Sequence, residues 1–457
     1  MGRTRAFAGA SDVRRGRGSG CPRLGAFLLL AASTALLAGC YGSESEFRFN
    51  AVYLKKQEDT AHTQLTAIQR QDITDALTVL FGTPEDPRWP AFNTVDLDRL
   101  LDLDRLRMAA GSAGRDRRGR ARGLDRKHCV RCHGTSGDGA GPNALLLDPY
   151  PRDYRRGIFK FKSTIGISTP PTDADLKSVL KNGIPGTAMP SFRQLADEEL
   201  DALVQYVKYL SIRGEVERSL IFESVDQLDE YDHLVDMSLE DSDPEELAEQ
   251  MAYVQSMVAD VARKWLEAPN RIRRVPPRPE GWDLDASIER GRQLFYGDVA
   301  NCAKCHTDEA GPRDPADDYD DWTKEIFDPR NLKAGAPYLA VGALPPRKIR
   351  PRNLRRGVYR GGGRPEDLYR RIRDGIAGTP MPAAAMKPEG AAEDDPRLAP
   401  EDIWHLVDYV RSLPTARARE HQEASSSSTN AIAPSVVPVM PRPRLTRSRI
   451  RGPLVRK

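Results

Sequence analysis

Residues 129–142 read CVRCHGTSGDGAGP, and residues 302–312 read CAKCHTDEAGP. Each stretch opens with two cysteines three positions apart, puts a histidine directly after the second, and runs on to a Gly-Pro. The chain has 457 residues and six cysteines, so four of the six are committed to two copies of one pattern. The surroundings are repeated as well. PRDYRRG at 151–157 is matched by PRNLRRG at 351–357. DLKSVLKNGIPGTAMP from Asp175 aligns without a gap with DLYRRIRDGIAGTPMP from Asp367, which puts Met189 and Met381 in register. LADEELDALVQYVKYL from Leu195 is matched by LAPEDIWHLVDYVRSL from Leu398. An internal repeat of this kind predicts two domains of one fold.

The closing segment of each repeat reads as a helix. Leu200, Leu203, Val204, Val207 and Leu210 recur at helical spacing, as do Ile403, Leu406, Val407, Val410 and Leu413. Asp197 is placed as a cap for the first of these helices, and Pro400 suits the first turn of the second. A shorter helix from Asp175 or Asp367 stops at Gly183 or Gly375, since glycine past a helix end is a common stop.

C-x-x-C-H reads as a c-type haem attachment site. Two thiols at this spacing reach the two vinyl groups on one porphyrin edge, and the next histidine falls under the iron. A zinc site needs four ligands, yet the two cysteine pairs are far apart and each lies in its own repeat. A thioredoxin-like dithiol needs a βαβ context, which these Gly- and Pro-rich loops lack. Covalent haem at Cys129 and Cys132, and at Cys302 and Cys305, is therefore expected, with His133 and His306 as iron ligands. For the sixth ligand, Met189 is the only methionine between His133 and Gly214, and no further histidine lies there. Its loop is stiffened by Pro185 and Pro190. Met381 holds the matching place in the second repeat, with Met386 and His405 as rivals. His405 is expected on the surface of the last helix.

With these motifs, residues 118–213 and 283–415 resemble tandem class I cytochrome c domains. The resemblance implies an all-α fold in which first and last helices cross, and a haem held by His and Met. It places Cys129, Cys132, His133 and Met189 at the first haem and Cys302, Cys305, His306 and Met381 at the second. The sequence departs from the family in two ways. GRARGLDRKH before Cys129 lacks an aromatic that GRQLFYG before Cys302 keeps. The second repeat also carries an acidic, Pro-rich insert near 308–350, so its Met lies further from its His.

The ends and the middle of the chain divide as follows. Arg-rich residues lead into LGAFLLLAASTALLAGC, a stretch of about 15 apolar residues, the form of a secretory signal. Leu37-Ala38-Gly39-Cys40 resembles a bacterial lipobox, which implies a lipidated Cys40 as the first mature residue. Cys21 falls in the leader. The expected domains are a signal peptide at 1–40, an N-terminal helical region at 41–114, a first cytochrome domain at 115–213, an acidic helical connector at 214–280, a second cytochrome domain at 281–415, and a disordered basic tail at 416–457. In the N-terminal region, QDITDALTVLFG and LDRLLDLDRLRM each have helical apolar spacing. The connector reads as a solvated helix, or as a docking face for a basic partner. The net charge of +3 is too small for a nucleic-acid binder.

Two closed His/Met haems make an electron relay rather than a site that activates oxygen. The expectation is a lipid-anchored protein on the periplasmic side of a bacterial membrane. It would pass single electrons between a redox protein donor and an acceptor, the partners being of the class of a terminal oxidase or a quinol-oxidising complex. A di-haem peroxidase is the alternative if the second iron is open, and a haem-containing scaffold or sensor is another. Arg155–Arg156 and Arg355–Arg356 are candidates for neutralising haem propionates.

Overall fold

In a computed structural model of the chain, residues 45–92, 95–306 and 319–429 are described, with only the backbone of 95, 321 and 416–429. The signal segment, Cys40, residues 430–457 and part of the second-repeat insert lie outside the described residues. The architecture is helical, and the sole sheet among the described residues is the pairing of Gly114–Arg115 with Ala121–Arg122.

The N-terminal region forms α1 (Ala51–Ala61), α2 (Ala67–Phe81) and α3 (Leu103–Ala109). Thr66 starts α2 by accepting from Gln69 N, while the Gln69 side chain accepts from Thr66 N. This reciprocal pair satisfies two donors that a helix start leaves open. LDRLLDLDRLRM is not one helix, contrary to its periodicity. Asp102 interrupts it, and its carboxylate accepts from Asp104 N and Arg105 N to begin α3 afresh.

The first repeat contributes α4 (Asp173–Asn182) and α5 (Asp197–Gln227). Thr172 caps α4 with Asp175 as its reciprocal partner, and Gly183 ends it at φ +66°. The cap residue of α5 is Ala196, not Asp197. Its N–H is satisfied by the Glu199 carboxylate reaching back one turn. α5 also runs past the expected domain boundary at 213, because Val216, Leu220, Ile221 and Val225 continue its apolar face. α1, α2, α3 and α4 all pack on α5. In this repeat α3 supplies the main crossing partner of the last helix, since the segment before the haem motif makes only a single helical turn, Leu124–His128.

The acidic connector is helical, and one face of it is buried. α6 (Pro244–Glu267) turns Val254, Val258, Val261 and Trp265 towards α5 and leaves its acids outside. Trp265 meets Phe159 edge to face, and Lys264 pairs with Glu215 at 2.6 Å. The N-terminal region, first repeat and connector therefore share one large core.

The second repeat has a smaller core of its own. α7 (Leu284–Tyr296) crosses α9 (Pro400–Thr429), with α8 (Pro365–Asp374) against α9. Gly291 makes the crossing possible. A β-carbon there would come within 2.0 Å of the His405 carbonyl and 2.7 Å of Tyr409 Cβ. Buried Asp408 ties the crossing together, accepting from Trp282 Nε1 and Ser287 Oγ, each at 2.9 Å, and pairing with Arg278. α9 extends to Thr429, through Pro414 and beyond the point where a disordered tail is expected. Residues 415–425 are rich in Ala, Arg, Glu and Gln, which favour helix, so the Ser-rich composition beyond them does not end it early.

The two repeats face one another through equivalent surfaces. Gly186 of the first methionine loop lies against Arg352 and Val358, with Arg352 Nη2 within 2.5 Å of where a β-carbon would stand. Gly378 of the second loop lies against Arg152 and Ile158, the repeat equivalents of those residues. Gly361 sits on Phe161, its own equivalent. A contact set in which residue pairs exchange places marks an internal two-fold relation. The second-repeat insert reinforces the union: Glu325 accepts from Lys56 and pairs with Arg156 and Arg218.

Candidate haem sites

In the first repeat, Val130–His133 forms one helical turn, with Cys129 at its start. That turn puts Cys129, Cys132 and His133 on adjoining positions of a rigid support. The glycine-rich loop after it folds back along the motif rather than outward. Gly139 N donates to His133 O at 2.9 Å, Gly141 N to Cys132 O at 3.1 Å, and Asn143 N to Arg131 O at 2.9 Å. Gly141 cannot be replaced in this arrangement, as a β-carbon would fall within 2.4 Å of the Val130 carbonyl. The equivalent loop of the second repeat lies outside the described residues.

His133 is oriented by two neighbours. Its Nδ1 lies 3.1 Å from the Arg152 carbonyl, which accepts the N–H, and its ring stacks on Tyr154 at 4.7 Å between centroids. Nε2 is thereby the nitrogen left for iron, a second-partner arrangement usual for metal-binding imidazole. Burial, with the Arg152 charge adding to it, pushes the His133 pKa down to about 4 and keeps the ring neutral. In the second repeat His306 Nδ1 lies 3.0 Å from the Arg352 carbonyl, the same contact at the equivalent residue. Burial holds its pKa down too. Leu354 stands where Tyr154 stands in the first repeat, so the stacking ring is missing.

The thiols are free in both repeats: no disulfide joins Cys129, Cys132, Cys302 or Cys305. Among the described residues no three of His, Cys, Asp and Glu converge as a metal-holding group, so the cysteine pairs do not pool their sulfurs in one site. Cys129 is buried in the large core, and burial raises its thiol well above the usual range, with Asp125 adding to the effect. Asp125 is itself fully buried, and desolvation raises its carboxyl to about 7.

The methionine loops are built alike. Ile184 N donates to Met189 O and Ile376 N to Met381 O, each at 3.1 Å. Thr187 Oγ1 and Thr379 Oγ1 accept from the Met189 and Met381 backbone N–H groups at 3.1 and 3.2 Å. Met189 packs against the core cluster that includes Cys129, and Phe192 meets the ring of His128 edge to face. That contact brings the first loop beside the first C-x-x-C-H motif. In the second repeat, Met386 packs against the core while Met381 is half-buried in its loop. His405 is half-buried on the last helix. It stacks on Trp282 at 4.5 Å, and its Nδ1 lies 2.9 Å from Ser287 Oγ, so the helix crossing holds it.

The residues present fit covalent haem: free paired thiols, a buried neutral imidazole with one nitrogen assigned, and a rigid loop carrying a thioether. The family described as cytochrome c oxidase, cbb3-type, subunit III matches residues 118–207, and the family described as cytochrome c matches residues 288–414. The chain is a tandem c-type cytochrome. Each family match spans one C-x-x-C-H motif and the methionine loop that follows it. No curated protein matches this cytochrome. Among solved structures, the reducing HAO-like protein complex of Kuenenia stuttgartiensis matches at 21% identity, covering 64% of this chain and 94% of that one, with a TM-score of 0.39. The two cytochrome domains imply covalently bound haem c and an electron-transfer role.

Arg155 and Arg156, expected at propionates, are already paired. Arg155 is held by the Asp153 carboxylate at 3.0 Å, and Arg156 by Glu325 at 2.5 Å. Sequence reasoning passed over Arg152, Tyr154 and Asp125. The first two lie inside the repeated PRDYRRG, where the adjacent arginine pair drew attention instead. Asp125 had no signal beyond its place four residues before Cys129.

Proposed function

We propose that this cytochrome is a lipid-anchored electron relay on the periplasmic side of a bacterial membrane. It takes single electrons from a donor of the class of a quinol-oxidising complex and delivers them to an acceptor of the class of a terminal oxidase. The observation that carries the reading is the pairing of each C-x-x-C-H motif with an identically built methionine loop. Haem in such a site supplies a one-electron couple, and methionine ligation favours its reduced form. His133 and His306 supply the proximal nitrogens, and the Arg152 and Arg352 carbonyls fix their rings. Met189 and Met381 would supply thioether ligands, their loops held by the Thr187 and Thr379 hydroxyls. The core excludes water and keeps the reorganisation on electron transfer small. Anchorage rests on the lipobox-like sequence at Cys40. Among the described residues no helix is long and apolar enough to cross a membrane.

A second reading, a di-haem peroxidase, draws on one observation: Met386, not Met381, packs against the second core. Mixing the fully reduced protein with a one-electron acceptor, and separately with hydrogen peroxide, decides between them. The relay gives up two electrons per chain to the acceptor and leaves peroxide intact. Turnover of peroxide would install the enzyme reading. Replacing Cys40 by Ala should move the protein from the membrane to the soluble fraction, and retention in the membrane would remove the anchor.

A further inference from the structure

The net charge of +3 conceals two opposite blocks. Residues 219–262 carry 13 Asp and Glu and no Lys or Arg, whereas residues 424–457 carry seven Lys and Arg and no Asp or Glu. Blocks of like charge in one chain are characteristic of interacting segments. The acidic block lies on an ordered surface. Ten of the eleven acids from Asp226 to Glu249 are exposed, Glu230, Glu240, Asp241, Glu245 and Glu249 among them. Among the described residues no Lys or Arg pairs with any of the eleven. The ion pairs of the connector, Arg263 with Asp260 and Lys264 with Glu215, fall outside this stretch.

The fold holds these like charges together with contacts that do not neutralise them. Gln69 of α2 donates from Nε2 to the carbonyls of Asp229 and Asp232, each at 2.9 Å. Gln250 Oε1 of α6 accepts from Asp236 N at 2.7 Å, and Val235 beside it is buried. The backbone is thus pinned by neutral groups while the carboxylates stay in water. Massed charge of one sign repels itself, and a ligand of opposite sign relieves the repulsion. Exposed rings stand on the same elements: Tyr231 is 86% exposed, and Phe222 and Tyr253 are about half so. The occupant that fits such a face combines several cations with apolar side chains. The C-terminal segment has that composition, with Leu445, Ile450, Leu454 and Val455 set among its arginines. Arginine suits carboxylates, because its planar fork pairs with both oxygens.

We propose that the Arg-rich segment 442–457 of this chain docks on the acidic face formed by the end of α5, the start of α6 and the turns between them. Arg442 stands 13 positions beyond Thr429, the last residue of α9. Thirteen extended residues span up to about 45 Å, more than the diameter of a small domain. Covalent linkage gives the segment an effective concentration on the order of millimolar, which favours it over a free basic protein. Docked there, it covers the acidic face, and another basic protein reaches that face only by displacing it.

The test is the binding of a fluorescein-labelled peptide of residues 441–457 to three forms of the full chain, read by fluorescence anisotropy. The first is the wild type. The second is tail-neutral, with Arg442→Gln, Arg444→Gln, Arg447→Gln, Arg449→Gln and Arg451→Gln. The third adds Asp241→Asn, Glu245→Gln, Glu246→Gln and Glu249→Gln to the second. All four of these acids are exposed, and Asp243, which caps α6, is left in place. The peptide should bind the tail-neutral form at least about tenfold more tightly than the wild type, whose own tail competes. That binding should weaken as salt is added and fall at least about tenfold in the third form. Equal binding to the wild type and the tail-neutral form would show the face open, and the proposal would fail. Equal binding to the second and third forms would place the arginines elsewhere. Competition that appears only as the protein is concentrated would assign the tail to a second copy and overturn the contact within one chain. A peptide that binds none of the three, but binds vesicles of phosphatidylserine and phosphatidylcholine, would make the tail a membrane arm instead.

Discussion

The two repeats share a plan and differ in what supports it. The first is built into a core that also holds the N-terminal helices and the connector, with Cys129 buried and His133 stacked on Tyr154. The second stands on the crossing of α7 and α9, with Cys302 half-buried, Cys305 exposed and no ring under His306. The first haem site is thus protected by surrounding protein, and the second is the more open of the two. In a relay this asymmetry makes the second repeat the natural point of entry or exit for electrons, and the first the insulated partner.

The comparison can be broken by removing each haem in turn. Replacing Cys302 and Cys305 by Ser should leave the second repeat without enough core to fold. Limited proteolysis would then cut within 281–415 while residues 47–267 survive. Replacing Cys129 and Cys132 by Ser should leave the first repeat protease-resistant. Equal sensitivity in the two variants would mean that the size of the core does not set the dependence on haem. This is the largest effect expected, as a small domain with little core relies on its cofactor.

Asp408→Ala comes next. It strands Arg278, Trp282 Nε1 and Ser287 Oγ in the α7–α9 crossing, and breaking a buried ion pair costs about 3–5 kcal/mol. Thermal unfolding should show the second-repeat transition falling while the first holds. A common shift of both would mean that the repeats unfold as one unit.

Asp125 sharpens the account of the first repeat. Burial raises its folded pKa to about 7, well above the unfolded value of about 3.9. Between these values the folded state binds the extra proton, so stability falls as pH rises from about 4 to 7 and levels off above. Haem attachment does not relieve it, because a thioether sulfur has no hydrogen to give. Asp125→Asn should flatten that slope in denaturant titrations, by at most about 4 kcal/mol. An unchanged slope would place the proton elsewhere. Gly291→Ala is the smallest change. Overpacking against the His405 carbonyl should cost about 1–3 kcal/mol and lower only the second-repeat transition in calorimetry. A neutral result would mean that α7 and α9 can move apart.

The repeat, the haem motifs and the closing helices were legible because each is periodic or specific in residue type. Leu200 through Leu210 and Ile403 through Leu413 all lie on buried faces of α5 and α9. The extension of α5 beyond 213 was hidden because its charged residues are as frequent as its apolar ones, and only the fold shows which face is covered. The break at Asp102 was hidden by unbroken apolar spacing, which a single capping carboxylate overrides. The partners of half-buried His405 were hidden, because its position in the helix does not reveal Trp282 and Ser287 at the crossing with α7. The interface between the repeats rests on glycines at 186, 361 and 378, whose sequence role as loop formers conceals their role as contact points.

One measurement tests the central claim most directly: the optical spectrum of the dithionite-reduced protein before and after carbon monoxide, scaled to haem per chain. The account predicts two covalent haems and no response to carbon monoxide, because Met189 and Met381 close both irons. A response from one haem would contradict it and mark that iron as open, and fewer than two haems would contradict the reading of one of the C-x-x-C-H sites.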